Sequence, residues 1–530
     1  MGKLRLANIS LILGSFAVAS IFVFLLCFLF NPMWETNDDV GMSMVAHGYG
    51  IATAGTPNLI FSNVLWGYLI RFIPEVNGVL GYSIATLGVL VIVGTVLFYG
   101  FYRLGLGYIA SFSAMALILV RPVLFPQFTI NAGLLMVGAI ICWHLFARQN
   151  DRRALAIGCL LAFFSFMVRS QEFLLVLIVA LPLLTGRDLL QQRTFQIALL
   201  MLISAIIVSI AIDHQAYQGG EWNAFKELKP AISSIVDFGA GEYLKLRPDI
   251  LDRYGYSIND IDLLKRWFFV DPTIANPEKL KGMLDELGPL PTQSNSLANA
   301  LRGVTILWHP IQITTFLAAL LVAVLRPSWR LLMVWVLCVL ALFILGLLGR
   351  PGILRIYVPL VSLLVVAPFL RENISIWRNH FATGILLVVA ILNMHNTFSD
   401  AQKYQVSAEQ TRQDLMTFPN YPIVIWGGGF PYENIYPVLR VWPSAMQYNI
   451  VSLGGFTLAP FANSYVEQQQ GRGVIEMLIK ENGVYSIANE QWYAYLEIYC
   501  RKHLHGKLKN LSSKRYGVIT LNQHSCLFEE

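Results

Sequence analysis

The feature that most constrains this chain is a succession of apolar runs, many of them as long as a bilayer is thick, separated mostly by short charged connections. They lie at about 7–30, 78–102, 106–125, 129–147, 154–168, 173–185, 195–212, 306–325, 331–348, 353–370 and 380–396, which predicts about eleven spans. A helix needs about 20 apolar residues to cross the hydrocarbon core. With 56% hydrophobic residues, 13% charged residues and a mean hydropathy of +0.57, the chain is too apolar for a soluble protein, whose charged fraction is about 25%. The expected fold class is a polytopic α-helical membrane protein. The first run follows Lys3 and Arg5 and continues well past the small residues Ala17 and Ala19, so it reads as an uncleaved anchor rather than a signal peptide.

The net charge of +6 points to membrane orientation rather than to nucleic acid once the basic residues are located. With the N-terminus in the cytoplasm, the short inner connections hold Lys3, Arg5, Arg103, Arg148, Arg152, Arg153, Arg187, Arg193, Arg326, Arg330, Arg371 and Arg378. The short outer connections hold Arg121, Arg169, Arg350 and Arg355, with Arg71 in the first outer loop. The loop 31–77 and both long polar segments, about 213–305 and 397–530, then face outward.

The outer arginines need a reason that orientation does not supply. Runs 154–168 and 173–185 are too short to cross, so their connection, with Arg169 and Glu172, is expected below the outer surface. Ionisable groups at that depth either pair with each other or wall a wet cavity. Arg350 and Arg355, followed by Tyr357, sit at the outer mouth of later runs. A guanidinium fork there suits a lipid-linked phosphate, with headgroup snorkelling as the bland alternative.

The first outer loop carries Asp38 and Asp39, then His47, Gly55-Thr-Pro57 and an apolar, aromatic stretch at 61–70 too short to cross. That stretch and Val40 to Gly48 read as helices along the interface. One aspartate is explained as a helix cap, but two adjacent carboxylates are not both explained so. His47 reads as an interfacial polar residue.

In this arrangement the sequence resembles the GT-C class of polyprenyl-phosphate-dependent membrane glycosyltransferases. The residues that carry the resemblance are the acidic pair in Asn37-Asp-Asp39, the stretch Asp38 to Met44, Gly55-Thr-Pro57, Phe61-Ser-Asn63, the later Arg350 and Arg355, and an outer C-terminal domain. The resemblance implies a GT-C-like module over 1–396 and an inverting transfer, in which an acceptor hydroxyl attacks the anomeric carbon of a polyprenyl-phosphate sugar. Such chemistry needs a carboxylate to take the proton and positive charge to stabilise the departing phosphate. Asp39, placed narrowly ahead of Asp38, is the expected base. Arg350, Arg355, Tyr357 and Arg169 are the expected phosphate-binding set, with Glu172 and His47 on the cavity wall. No recognisable metal-ligand spacing is present, no cofactor is required, and a divalent cation such as Mg2+ or Mn2+ stays open.

The middle segment 213–305 is polar, aromatic and Pro-broken, suited to a lid or to packing on the C-terminal domain. From about 397 the chain reads as a small α/β domain. Expected strands are at 422–426, 483–488 and 516–521, and expected helices at 474–481 and 492–503. Gly427-Gly-Gly429 reads as a tight turn, since it lacks phosphate-loop spacing. Cys500 and Cys526 are the two cysteines outside apolar runs and can form a disulfide if the domain is extracytoplasmic. His144 reads as structural.

The functional expectation is a glycosyltransferase of a bacterial-type inner membrane, acting in cell-envelope glycan assembly on a glycan, lipid or protein acceptor. Rivals are an envelope glycan polymerase or ligase and, from another class, a lipid or solute transporter. The odd span count and absence of internal repeats argue against the transporter.

Overall fold

The computed structural model describes residues 2–184, 187–288, 296–370 and 376–528. Of the basic residues that orient the chain, Arg371 and the side chains of Lys3, Arg5 and Arg187 lie outside what is described.

Among the described residues, seven helices are long and apolar enough to cross a membrane: Ile9–Leu29, Gly81–Arg103, Gly107–Leu124, Phe128–Gln149, Arg193–Ala216, Trp329–Leu347 and Trp377–Asp414. Ser296–Trp308 and Ile313–Leu325 make an eighth if counted as one span bent by 85°. His309-Pro310 lies in the break, where proline denies the preceding residue its helical conformation. The expected eleven is not reached because three runs form shorter helices, Arg152–Val168, Ser170–Leu184 and Leu354–Leu370. At 1.5 Å per residue the first two fall short of a ~30 Å core.

Burial orders the bundle. Phe128–Gln149 is the central helix, with 89% of its apolar window buried, whereas Arg193–Ala216 has 17% and Ile9–Leu29 has 28%. The apolar residues left exposed on these outer helices, such as Phe24, Leu200 and Ile207, suit contact with lipid. The chain is a multi-pass membrane protein.

The loop 31–77 forms two short helices, Asn37–His47 and Val64–Phe72, as the sequence predicts. The second exposes Tyr68 and Phe72 and buries Trp66 and Ile70. The middle segment is a cluster of helices, among them Gly220–Ile232, Ile258–Lys265 and Pro277–Leu287.

The helix Ile376–Asp414 runs 39 residues without a break out of the bundle, so the boundary expected at 396/397 falls inside it. Beyond it lies a five-stranded sheet of β1 (Ile423–Trp426), β2 (Ile450–Leu453), β3 (Val484–Ile487), β4 (Gly506–Tyr516) and β5 (Ile519–Phe528). The spatial order is β2-β1-β3-β5-β4, with β1 parallel to β2 and β3, and β5 antiparallel to β3 and β4. Helices Val474–Leu478 and Tyr493–His503 fall where expected, and Cys500 is bonded to Cys526.

The middle segment packs on this domain through polar anchors. The Trp426 indole donates to the Arg266 carbonyl at 2.6 Å, Tyr499 donates to Asp271 at 2.5 Å, and His503 meets Asp260 at 2.8 Å. Phe268 fills the seam between Trp426 and Tyr499, with ring centroids 5.3 and 5.4 Å away.

Candidate functional site

A cavity of about 430 Å³ opens where the first loop, the middle segment, the connections between later helices and the C-terminal domain meet. Its volume lies within the ~300–1,000 Å³ usual for small-molecule sites. The three polar segments therefore share one end of the bundle, as the charge asymmetry predicts.

Four cationic side chains line the cavity, Arg169, Arg350, Arg355 and Lys229, against two carboxylates, Asp38 and Asp237. Arg355 donates to Asp38 at 2.6 Å, and Arg350 to Asp237 at 3.3 Å. Arg169 donates to the Phe61 carbonyl at 3.0 Å, and its guanidinium carbon lies 5.5 Å from the Phe128 ring centroid. Burial and the neighbouring Arg169 hold the Lys229 amine below its ordinary range. Charges from separate chain segments are thus concentrated in a half-buried space, where they act more strongly than in water.

The acidic pair divides. Asp38 faces the cavity, whereas Asp39 is 0% exposed and does not line it. Tyr82 and the Phe128 backbone N–H each donate to Asp39 Oδ1 at 3.0 Å, and Thr36 donates to Oδ2 at 3.0 Å. Asp39 thereby ties the start of its own helix to the start of the central one. Burial pushes its carboxyl up to about 8 against these hydrogen bonds. The preference for Asp39 as the inward-facing carboxylate is corrected: that position belongs to Asp38.

Three other expectations are corrected by geometry. Tyr357 is buried and donates its hydroxyl to the Gly303 carbonyl at 2.7 Å, away from the cavity. Two residues apart on a helix do not share a face, so Arg355 and Tyr357 diverge. Glu172 is buried beside Gly133, has an Oε1 without a hydrogen-bond partner, and does not line the cavity. His47 accepts the Tyr82 backbone N–H at 3.1 Å; burial lowers its imidazole to about 4, so it is neutral and positions a helix end. The ion pair between Arg169 and Glu172 that would close the turn is not formed, because Arg169 turns to Phe61 and the cavity.

The C-terminal domain contributes a wall that the sequence reading did not assign. Gly427 and Gly428 follow β1, Gly454 and Gly455 follow β2, and all four line the cavity. Ligands commonly gather outside the carboxyl ends of parallel strands. The repeated pattern of a short apolar strand ending in two glycines was the available signal. Trp267 was missed as a site residue. Its neighbours Phe268 and Phe269 are 2% and 1% exposed, but Trp267 lines the cavity. Its φ of +67° is a left-handed conformation that costs a bulky residue about 1–3 kcal/mol.

Among the described residues no three His, Cys, Asp or Glu side chains converge. The cavity carboxylates Asp38 and Asp237 are each held by an arginine, so the donor set fits an anion rather than a divalent cation.

No family model matches the chain and no curated protein does. Among solved structures, the crystal structure of ArnT from Cupriavidus metallidurans bound to undecaprenyl phosphate is similar over 96% of this chain and 96% of its own, with 11% identity and a TM-score of 0.37. ArnT is a GT-C glycosyltransferase, the class that the sequence resembles.

Proposed function

We propose that the protein is an inverting membrane glycosyltransferase that moves a sugar from a polyprenyl-phosphate donor to an acceptor on the outer face of an inner membrane, in envelope glycan assembly. The observation that carries this reading is one cavity at the end of a membrane bundle that Asp38 lines together with Arg169, Arg350 and Arg355.

The chemistry follows from what these groups do. A lipid-linked phosphate is a hydrophobic tail with an anionic head, so it needs cations within reach of the bilayer surface. The three arginines supply fixed forks for that head. As the acceptor hydroxyl oxygen bonds to the anomeric carbon, its proton passes to a carboxylate and the bond from that carbon to the phosphate oxygen breaks. In this reading Asp38 takes the proton, and the arginines stabilise the charge left on the phosphate. Before the donor arrives, the 2.6 Å contact with Arg355 keeps Asp38 partnered. A phosphate bound to Arg355 would draw the guanidinium away and release the carboxylate as a base.

The test is purified protein in nanodiscs with radiolabelled undecaprenyl-phosphate sugars and a membrane-extracted acceptor pool. Acceptor-dependent transfer that is lost in Asp38→Asn supports the reading; movement of intact donor across vesicles without cleavage would replace it with transport. Addition of a chelator in the same assay reads metal dependence.

A further inference from the structure

We infer that Trp267 and the glycine wall of β1 and β2 form a carbohydrate-binding subsite, so that the acceptor, under the function proposed above, presents a sugar ring rather than a protein side chain or a bare lipid. The cavity lining is of two chemical kinds: Arg169, Arg350 and Arg355 suit an anion, whereas Trp267, the four glycines and Ser452 are uncharged.

The uncharged groups are of the kinds that a pyranose would require. A sugar ring carries an apolar C–H face and a rim of hydroxyls. The C–H face stacks on an indole, whose π face is negative and whose size exceeds that of any other side chain. The rim needs backbone or hydroxyl partners at close range, which side chains larger than hydrogen would block. Cβ atoms built at Gly428 and Gly454 meet little: nothing lies within 4 Å of the first, and only the Ser452 hydroxyl, at 3.7 Å, lies near the second. Both positions are therefore open, and neither has the left-handed backbone that would by itself require glycine.

Trp267 is held in place against local preference. In Trp267-Phe268-Phe269 the left-handed residue is the one whose ring lines the cavity, and the two that follow are buried. The backbone on each side is pinned, by the Trp426 indole on the Arg266 carbonyl and by Phe268 between Trp426 and Tyr499. Arg266 stacks 4.0 Å over the Tyr495 ring and so turns away. An aromatic held in a strained conformation at a cavity, when glycine would relieve the turn, marks a contact surface.

The test is saturation-transfer NMR on the full chain in nanodiscs with methyl glycosides of glucose, galactose and N-acetylglucosamine, with glycerol as the control polyol. Ring-proton saturation is expected for at least one glycoside and none for glycerol. It should fall at least tenfold in Trp267→Gly, which suits the left-handed backbone, and in Gly428→Trp, which fills the open wall, and persist in Trp267→Phe. Asp38→Asn, which removes the proposed base, should keep glycoside binding, so loss of transfer and loss of the subsite are read separately. Wild-type protein that saturates no glycoside, or a folded Trp267→Gly variant that binds as wild type does, overturns the inference.

Discussion

The two ends of the helix bundle both collect arginines around a space of about 430 Å³, yet they are built differently. At the end without the polar domains, Arg103, Arg152 and Arg153 line a groove with Asp151 and Tyr99. Arg103 lies 3.8 Å from Asp151 and also bonds Gln149 and Tyr99, while Arg152 and Arg153 are exposed. Arg103 and its partners come from two neighbouring connections, and the other two arginines face outward. At the other end, Asp38 and Arg355 are 317 residues apart and meet at 2.6 Å, with a wall supplied by a separate sheet. Volume and the number of arginines do not tell the two apart. What distinguishes the site is the meeting of groups with no local reason to be together.

The largest effect is expected at the carboxylates. Asp38→Asn should lower transfer by about 10²–10⁴, the usual weight of a general base, with little change in thermal stability. Asp39→Asn should instead change folding, since it alters a buried bridge between two helix starts. If the two variants exchanged these phenotypes in a transfer and melting comparison, the assignment of Asp38 to the cavity would be reversed.

The next effect separates the two ends. Arg355→Lys keeps the charge but loses the planar fork, and transfer should drop by about 10-fold or more. Arg103→Lys at the opposite end should stay within about twofold in the same assay. Equal losses would show that the arginines act through the bundle as a whole.

Acidity provides a third contrast. The Asp39 carboxyl is raised to about 8 in the folded protein, above about 3.9 in the unfolded chain. Below pH ~4 both states hold the proton; between there and about 8 the folded state binds it and the unfolded state does not. Apparent melting temperature should therefore fall as pH rises through that window, and the part due to this group should vanish in Asp39→Asn. A slope unchanged by the substitution would place the carboxyl outside that range.

The smallest effect concerns Tyr357. Its hydroxyl holds the Gly303 carbonyl, so Tyr357→Phe should cost about 1–2 kcal/mol of stability and leave the KM for donor unaltered. A raised KM would return Tyr357 to the phosphate site.

Much of this architecture was legible because the bilayer imposes it. Apolar runs gave the bundle, and arginines unexplained by orientation pointed to Arg169, Arg350 and Arg355. The rotation of the helix Asn37–His47 was not legible, because Val40, Met42, Met44 and Val45 are all buried and leave no polar face to orient it. Adjacent aspartates then stand about 100° apart with nothing in the pattern to choose between them. The divergence of Tyr357 from Arg355 was legible from helical spacing alone. β4 escaped because its strand is an exposed edge bearing Lys507, Lys509, Lys514 and Arg515, charges that guard an edge while disguising it as a loop. Trp267 was hidden because left-handed backbone at a tryptophan has no sequence signal.

The most direct measurement is a cryo-electron-microscopy structure of the protein in nanodiscs with undecaprenyl phosphate. Phosphate density is expected within hydrogen-bond reach of Arg350 or Arg355, with Asp38 released from its partner. Phosphate seated instead in the groove of Arg103, Arg152 and Arg153, with the Asp38–Arg355 pair intact, would contradict it.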